Sequence, residues 1–194
     1  LCEAVRCGQK ETVELLLSQE GVDVNQRDRG DTALIRACIK GYPGIVEVLL
    51  AQPEIQVNKQ DERGSTALHH VANGKHETIL AMLLARTDLD VNIDNDHGNT
   101  PLTLASYRGH TNIVRGLLAR SDILVNKPEP KRQETALHMA ASRGDLECVA
   151  LLAGAAGVDI NARDIRGYTP YHVAMSAGQN MVVEFLSELP GIDL

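Results

Sequence analysis

Seven histidines and four cysteines are the residues of this chain best able to bind a metal, move a proton or attack a substrate. Their spacing supports none of these. His69, His138 and His172 lie about 34 residues, or twice that, apart, so they fall in separate structural units, while His69 and His70 point to different sides of a helix. No cysteine stands three or four residues from another Cys or a His, so no metal site of the zinc type is readable. A Gly-x-Ser-x-Gly elbow is missing. Asn73-Gly74-Lys75-His76 approaches a phosphate loop, but His69 occupies the required first Gly and His76 the required Ser or Thr. The expectation is no catalytic residue, no cofactor and no enzyme activity. Cys2 and Cys7, five apart on a predicted helix, read as core thiols. With no CxxC pair, the four cysteines read as reduced thiols of a cytoplasmic protein, with the nucleus as the alternative.

The elements that carry these residues follow from a repeat. Thr32-Ala33-Leu34 recurs as Thr66-Ala67-Leu68, Thr100-Pro101-Leu102, Thr135-Ala136-Leu137 and Thr169-Pro170-Tyr171, in steps of 34, 34, 35 and 34 residues. Val24-Asn25, Val57-Asn58, Val91-Asn92, Val125-Asn126 and Ile160-Asn161 keep the same beat, as do Gly8, Gly41, Gly109, Gly144 and Gly178. A period of this length means stacked units, none able to bury its apolar face alone. In the unit from Asp96, Asp and Gly98 supply a turn, Thr100 and Pro101 suit an N-cap and first helical residue, and Gly109 suits a left-handed cap. Ile113, Val114, Leu117 and Leu118 then follow at helical spacing, so each unit reads turn, helix, helix, loop.

This pattern resembles the ankyrin repeat family. Its Thr-Pro-Leu-His signature stands here as Thr66-Ala67-Leu68-His69, Thr135-Ala136-Leu137-His138 and Thr169-Pro170-Tyr171-His172, its Gly-His turn as Gly109-His110, and its Asp-Val-Asn loop as Asp23-Val24-Asn25 and Asp90-Val91-Asn92. The resemblance implies an all-α solenoid of helix-turn-helix units with projecting hairpin tips, working as a protein-binding scaffold. It implies that the signature His bonds to nearby backbone and ties units together. Residues 1–194 are expected to form one domain of about six repeats, bounded near 1–26 (partial), 27–60, 61–94, 95–129, 130–163 and 164–194 (partial). Three departures stand out. Lys75 replaces a capping glycine and Gly74 precedes it, so the third unit's first helix is expected to end early. Lys127–Glu134 replaces an Asp-x-x-Gly tip and is one residue longer. Both ends fall mid-unit, as in a segment of a longer protein.

In the family the loop asparagine bonds to backbone and holds the tip. Asn25 and Asn92 also carry the pattern favoured by ankyrin-modifying asparaginyl hydroxylases: Leu17 or Leu84 eight residues before, an acid two before and Val adjacent. Hydroxylation at these two positions is therefore the second reading.

The partner surface implied by the resemblance is the concave side, made of tips and first-helix ends. Carried onto this sequence, it comprises Arg6, Arg29, Ile39, Lys40, Arg63, His97, Tyr107, Arg108, Lys131, Arg132, Arg143, Arg166 and Tyr168. Tip and helix-end positions hold nine basic residues against five acids (Asp28, Asp31, Glu62, Asp96 and Glu134), although the chain has a formal charge of −7. An acidic peptide or acidic protein patch is thus the expected partner, held by arginine–carboxylate pairs with Tyr107, Tyr168 and Ile39 as apolar anchors. The net charge argues against nucleic acid, and the short apolar runs against membrane insertion. A monomer is expected. The alternative is a regulatory or targeting segment of a larger enzyme or channel.

Overall fold

The computed structural model describes residues 1–194 as twelve helices and one short hairpin. They group into two compact units, Leu1–Asp96 and His97–Leu194.

In the first unit, α1 (Cys2–Arg6) and α2 (Lys10–Leu17) form one antiparallel pair, α3 (Ala33–Lys40) and α4 (Pro43–Leu50) the next, and α5 (Ala67–Gly74) and α6 (Glu77–Leu84) the third. The second unit pairs α7 (Pro101–Arg108) with α8 (Thr111–Leu118), α9 (Ala136–Arg143) with α10 (Leu146–Ala153), and α11 (Pro170–Ser176) with α12 (Asn180–Ser187). Each unit is thus a stack of helix pairs. One tip is a two-stranded antiparallel ladder, β1 (Arg27–Asp28) and β2 (Asp31–Thr32), closed by Arg29 and Gly30 at φ +51° and +87°. Two successive positive φ angles are what a two-residue hairpin turn of primed type demands.

Threonine starts each repeat's first helix from α3 onward. Thr32 and Thr100 accept from Ile35 and Thr103 N–H at 3.2 and 3.1 Å, and Pro101 and Pro170 take the first helical position, where no N–H is needed. Small buried residues (Ala33, Ala37, Ala72, Ala105, Ala140, Ala141) let neighbouring first helices approach closely. Within each unit these first helices contact one another more extensively than the second helices do. The second helices bury the aliphatic core: Val46 and Leu49, Ile79 and Leu83, Ile113, Val114 and Leu117, Val149 and Leu152. Leu118, expected beside them, is only half-buried.

Two sequence expectations change. Helix α5 does not end early: it runs eight residues to Gly74, and Lys75 itself takes the left-handed cap at φ +63°, ψ +34°, like Gly41, Gly109 and Gly144. Cys7 is exposed rather than a core thiol, whereas Cys2, Cys38 and Cys148 are buried.

Candidate protein-docking groove

The signature histidines are structural. Thr66 N–H donates to His69 Nδ1 at 3.0 Å, and the threonine hydroxyl lies 2.8 Å from the same nitrogen; Thr135 and His138 repeat this at 3.2 and 2.9 Å. Because Nδ1 accepts, the proton sits on Nε2, and His138 Nε2 donates to Tyr168 O of the next repeat at 3.0 Å. Burial pushes the His138 pKa down, against the opposing pull of that carbonyl. Both histidines cap their helices, and His138 also joins two repeats.

The loop asparagines are equally committed. Asn58 Nδ2 donates to Asp88 O at 2.7 Å while its Oδ1 accepts from Asp90 N–H at 2.9 Å. Asn25 makes the same pair with Glu54 O and Gln56 N–H, Asn126 with Gly157 O and Asp159 N–H, and Asn161 with Gly191 O and Asp193 N–H. Each amide thus links its loop to the following one, rather than holding a tip.

All thirteen sequence-predicted surface residues are exposed. Ser65, a tip position, is instead buried. Arg6 is occupied by Glu3. Arg166 pairs with Asp164 at 2.9 Å, and its guanidinium lies 4.9 Å from the Tyr168 ring centroid. In the second unit, five of the thirteen converge on one open groove of about 350 Å³: His97, Tyr107, Arg108, Lys131 and Arg132. Tips enter it from one side and α7 and α9 from the other. Arg108 lies 5.6 Å from the Tyr107 ring centroid, and Arg143 Nη1 donates to Tyr107 O at 3.3 Å, steadying that wall.

The tip that lost its Asp-x-x-Gly is rebuilt rather than unravelled. Elsewhere the aspartate accepts two tip N–H groups: Asp61 from Arg63 and Ser65, Asp164 from Arg166 and Tyr168. Glu129 takes Lys131 N–H and Arg132 N–H instead, and its own backbone N–H bonds across the tip to Glu134 O at 2.9 Å. Gln133 adopts the positive φ (+58°) that Gly64 and Gly167 adopt in their tips. Pro130 packs against Gly98, where an added Cβ would lie 2.2 Å from the proline Cδ. The result fixes Lys131 and Arg132 on the groove rim. Nearby Glu134 is largely enclosed, and burial raises its pKa.

Sequence reasoning missed the groove floor, Leu104 and Met139. Both lie four residues after the capping threonine, a position occupied by Arg36 and His70 in the first unit. Arg36 fills the crevice between helix and tip by pairing with Asp28 at 2.9 Å, and His70 Nε2 lies 2.8 Å from Asp61 Oδ2. Burial works against the Asp61 carboxylate, but His70 and the Ser65 and Arg63 N–H groups hold its pKa below the usual value. Leu104 and Met139 offer no such bond, so the crevice stays open and apolar. Comparing this single column across repeats would have found it.

A family model described as ankyrin repeats (3 copies) matches residues 1–61 and 53–129, and one described as ankyrin repeats (many copies) matches residues 117–174. The chain belongs to the ankyrin repeat family. Ankyrin repeats are protein–protein interaction modules. The ankyrin fold is also seen in the crystal structure of the ankyrin repeat protein EF0377, with a TM-score of 0.89 over 97% of this chain and 96% of that one, at 23% identity. Among curated relatives, the chain is 42% identical over 62 residues to human SMC5-SMC6 complex localization factor protein 1, covering 31% of this chain and 6% of the relative. It is 46% identical over 54 residues to human protein phosphatase 1 regulatory subunit 27 (28% and 34%), and 39% identical over 66 residues to mouse Rabankyrin-5 (34% and 6%). The chain thus spans between 6% and 34% of the lengths of these relatives. No helix of this ankyrin chain is long and apolar enough to cross a membrane.

Proposed function

We propose that the chain acts without catalysis, as a monomeric docking module that binds an acidic peptide or acidic protein patch along its tips and first-helix ends. The observation that carries this reading is the convergence of Arg108, Lys131, Arg132, His97 and Tyr107 on one open groove in a chain of net charge −7. Guanidinium groups match carboxylates bidentately, and an exposed tyrosine adds contact area at small entropic cost. In the first unit Arg29, Lys40, Arg63 and Ile39 are likewise exposed. Free thiols at all four cysteines fit a reducing compartment, the cytoplasm.

Fluorescence anisotropy with an Asp/Glu-rich dodecapeptide tests the reading. Charge reversal of Arg108 and Arg132 together should weaken binding at least tenfold and flatten its salt dependence. Unchanged affinity and salt slope would refute it.

Relatives named as a localization factor and a regulatory subunit support the alternative reading, in which the repeats are a regulatory or targeting segment of a larger enzyme or channel. Hydroxylation of Asn25 and Asn92 belongs with that regulatory form. Asn25 is 6% exposed, so an enzyme would reach it only after its loop opens. Incubation with an asparaginyl hydroxylase followed by peptide mass spectrometry should show one oxygen gained at each position; no gain ends the idea.

A further inference from the structure

We infer that the groove of the second unit takes one aliphatic side chain of its partner, seated on Leu104 and Met139, with carboxylates on either side meeting Arg108 and Arg132. This deepens the docking reading above and rests on it. One repeat position distinguishes the two units. In the first unit the crevice between first helix and tip is closed from within, by Arg36 on Asp28 and His70 on Asp61. In the second unit the same position presents Leu104 and Met139, both half-buried, and the groove they line also takes in the tip carboxylates Glu129 and Glu134. Glu129, the acid that would correspond to Asp61, spends its oxygens on Lys131 and Arg132 N–H groups. Glu134 is largely enclosed, so what remains is an apolar floor under a rim whose outward charges are Arg108, Lys131 and Arg132.

The size of the space narrows the occupant. A volume of about 350 Å³ lies at the lower end of the roughly 300–1,000 Å³ of small-molecule pockets. It suits one aliphatic side chain and its adjoining backbone, and the groove is open to solvent so that a chain can enter and leave. Methionine adapts its shape to such a guest. Charge complementarity sets the flanks: a neutral apolar ligand would make no use of the exposed Arg108, Lys131 and Arg132 side chains, and a purely acidic one would leave the floor wet. An extended segment of the form acid, aliphatic, acid answers both.

The test is selection of random dodecapeptides displayed on phage against the intact chain, followed by anisotropy with the winners. The expected result is enrichment of Leu, Ile, Val or Met between acidic residues. Met139→Ala should then weaken the selected peptide about tenfold, yet leave its aliphatic-to-Ser counterpart unchanged. On titration of methyl-labelled wild-type chain, the Met139 methyl resonance should shift while Met82 stays still. If acidic peptides are enriched with no aliphatic preference, and Met139→Ala binds them normally, the inference falls while the docking reading stands. If acidic residues are not enriched at all, the docking reading falls, and this inference with it.

Discussion

Lys75→Gly should stabilise the first unit. Lys75 closes α5 at φ +63°, ψ +34°, where Gly41, Gly109 and Gly144 close their own helices at φ +67°, +70° and +80°. A side chain in this region brings Cβ against the backbone at roughly 1–2 kcal/mol. Glycine gives back about 0.4–1 kcal/mol through the freer unfolded chain. The difference predicts a net gain of about 0.5–1 kcal/mol. The cap bond from Lys75 N–H to Val71 O, 3.1 Å, involves only backbone and survives the change. The reverse experiment provides the control. At Gly109 an added Cβ would lie 2.4 Å from Arg143 Nε and 2.7 Å from Asp145 Oδ2, so Gly109→Lys adds crowding to strain and should cost about 2 kcal/mol or more. Urea unfolding followed by far-UV circular dichroism measures both, since the chain has no tryptophan. Hydrogen exchange then locates the change, because repeat arrays need not unfold in one step. A Lys75→Gly protein no more stable than the parent, with slowed exchange nowhere in α5 and α6, would refute the reasoning.

Two further outcomes are expected. Asn58→Ala deletes both bonds to the following loop and leaves Asp90 N–H and Asp88 O without their partner, so a loss of about 1–3 kcal/mol is expected by urea titration; a change under about 0.5 kcal/mol would mean that water replaces the link. Acidification should destabilise the second unit through His138. Its folded pKa lies below the ordinary value, so the unfolded chain binds the extra proton first. Stability is therefore full above about pH 6.5 and falls as pH drops below it, by at most about 1.4 kcal/mol per pH unit for one proton. Urea midpoints measured between pH 7.5 and 5.5 should show this slope in the parent and a flatter one in His138→Gln, and identical slopes would sink it.

Most of the fold is legible in the residues themselves. Thr, Pro and Gly act locally: each sets a cap or a backbone angle within a few residues, and their recurrence at 34-residue steps announces both helices and the stacking. The outward position of the thirteen surface residues follows from the same register. The errors arose where a neighbour overrides the local signal. Reading Lys75 as a broken cap treated the αL position as closed to lysine, yet packing of α5 and α6 holds lysine there at modest cost. Reading Lys127–Glu134 as a lost tip overlooked that Glu129 can hold the longer tip through the Lys131 and Arg132 N–H groups. Cys7 looked apolar by type, but the final turn of α1 leaves it exposed.

What this sequence determined alone is the repeating frame, because caps, turns and helical periodicity are short-range. Tertiary structure decided which crevices are filled and which stay open. Arg36 finds Asp28 eight residues away and His70 finds Asp61 nine residues away, through a folded tip. Leu104 and Met139, 35 residues apart in sequence, become one floor only once α7 and α9 lie side by side. Side-chain reach across a stacking interface is a property of the assembled helices, and no window along the chain contains it.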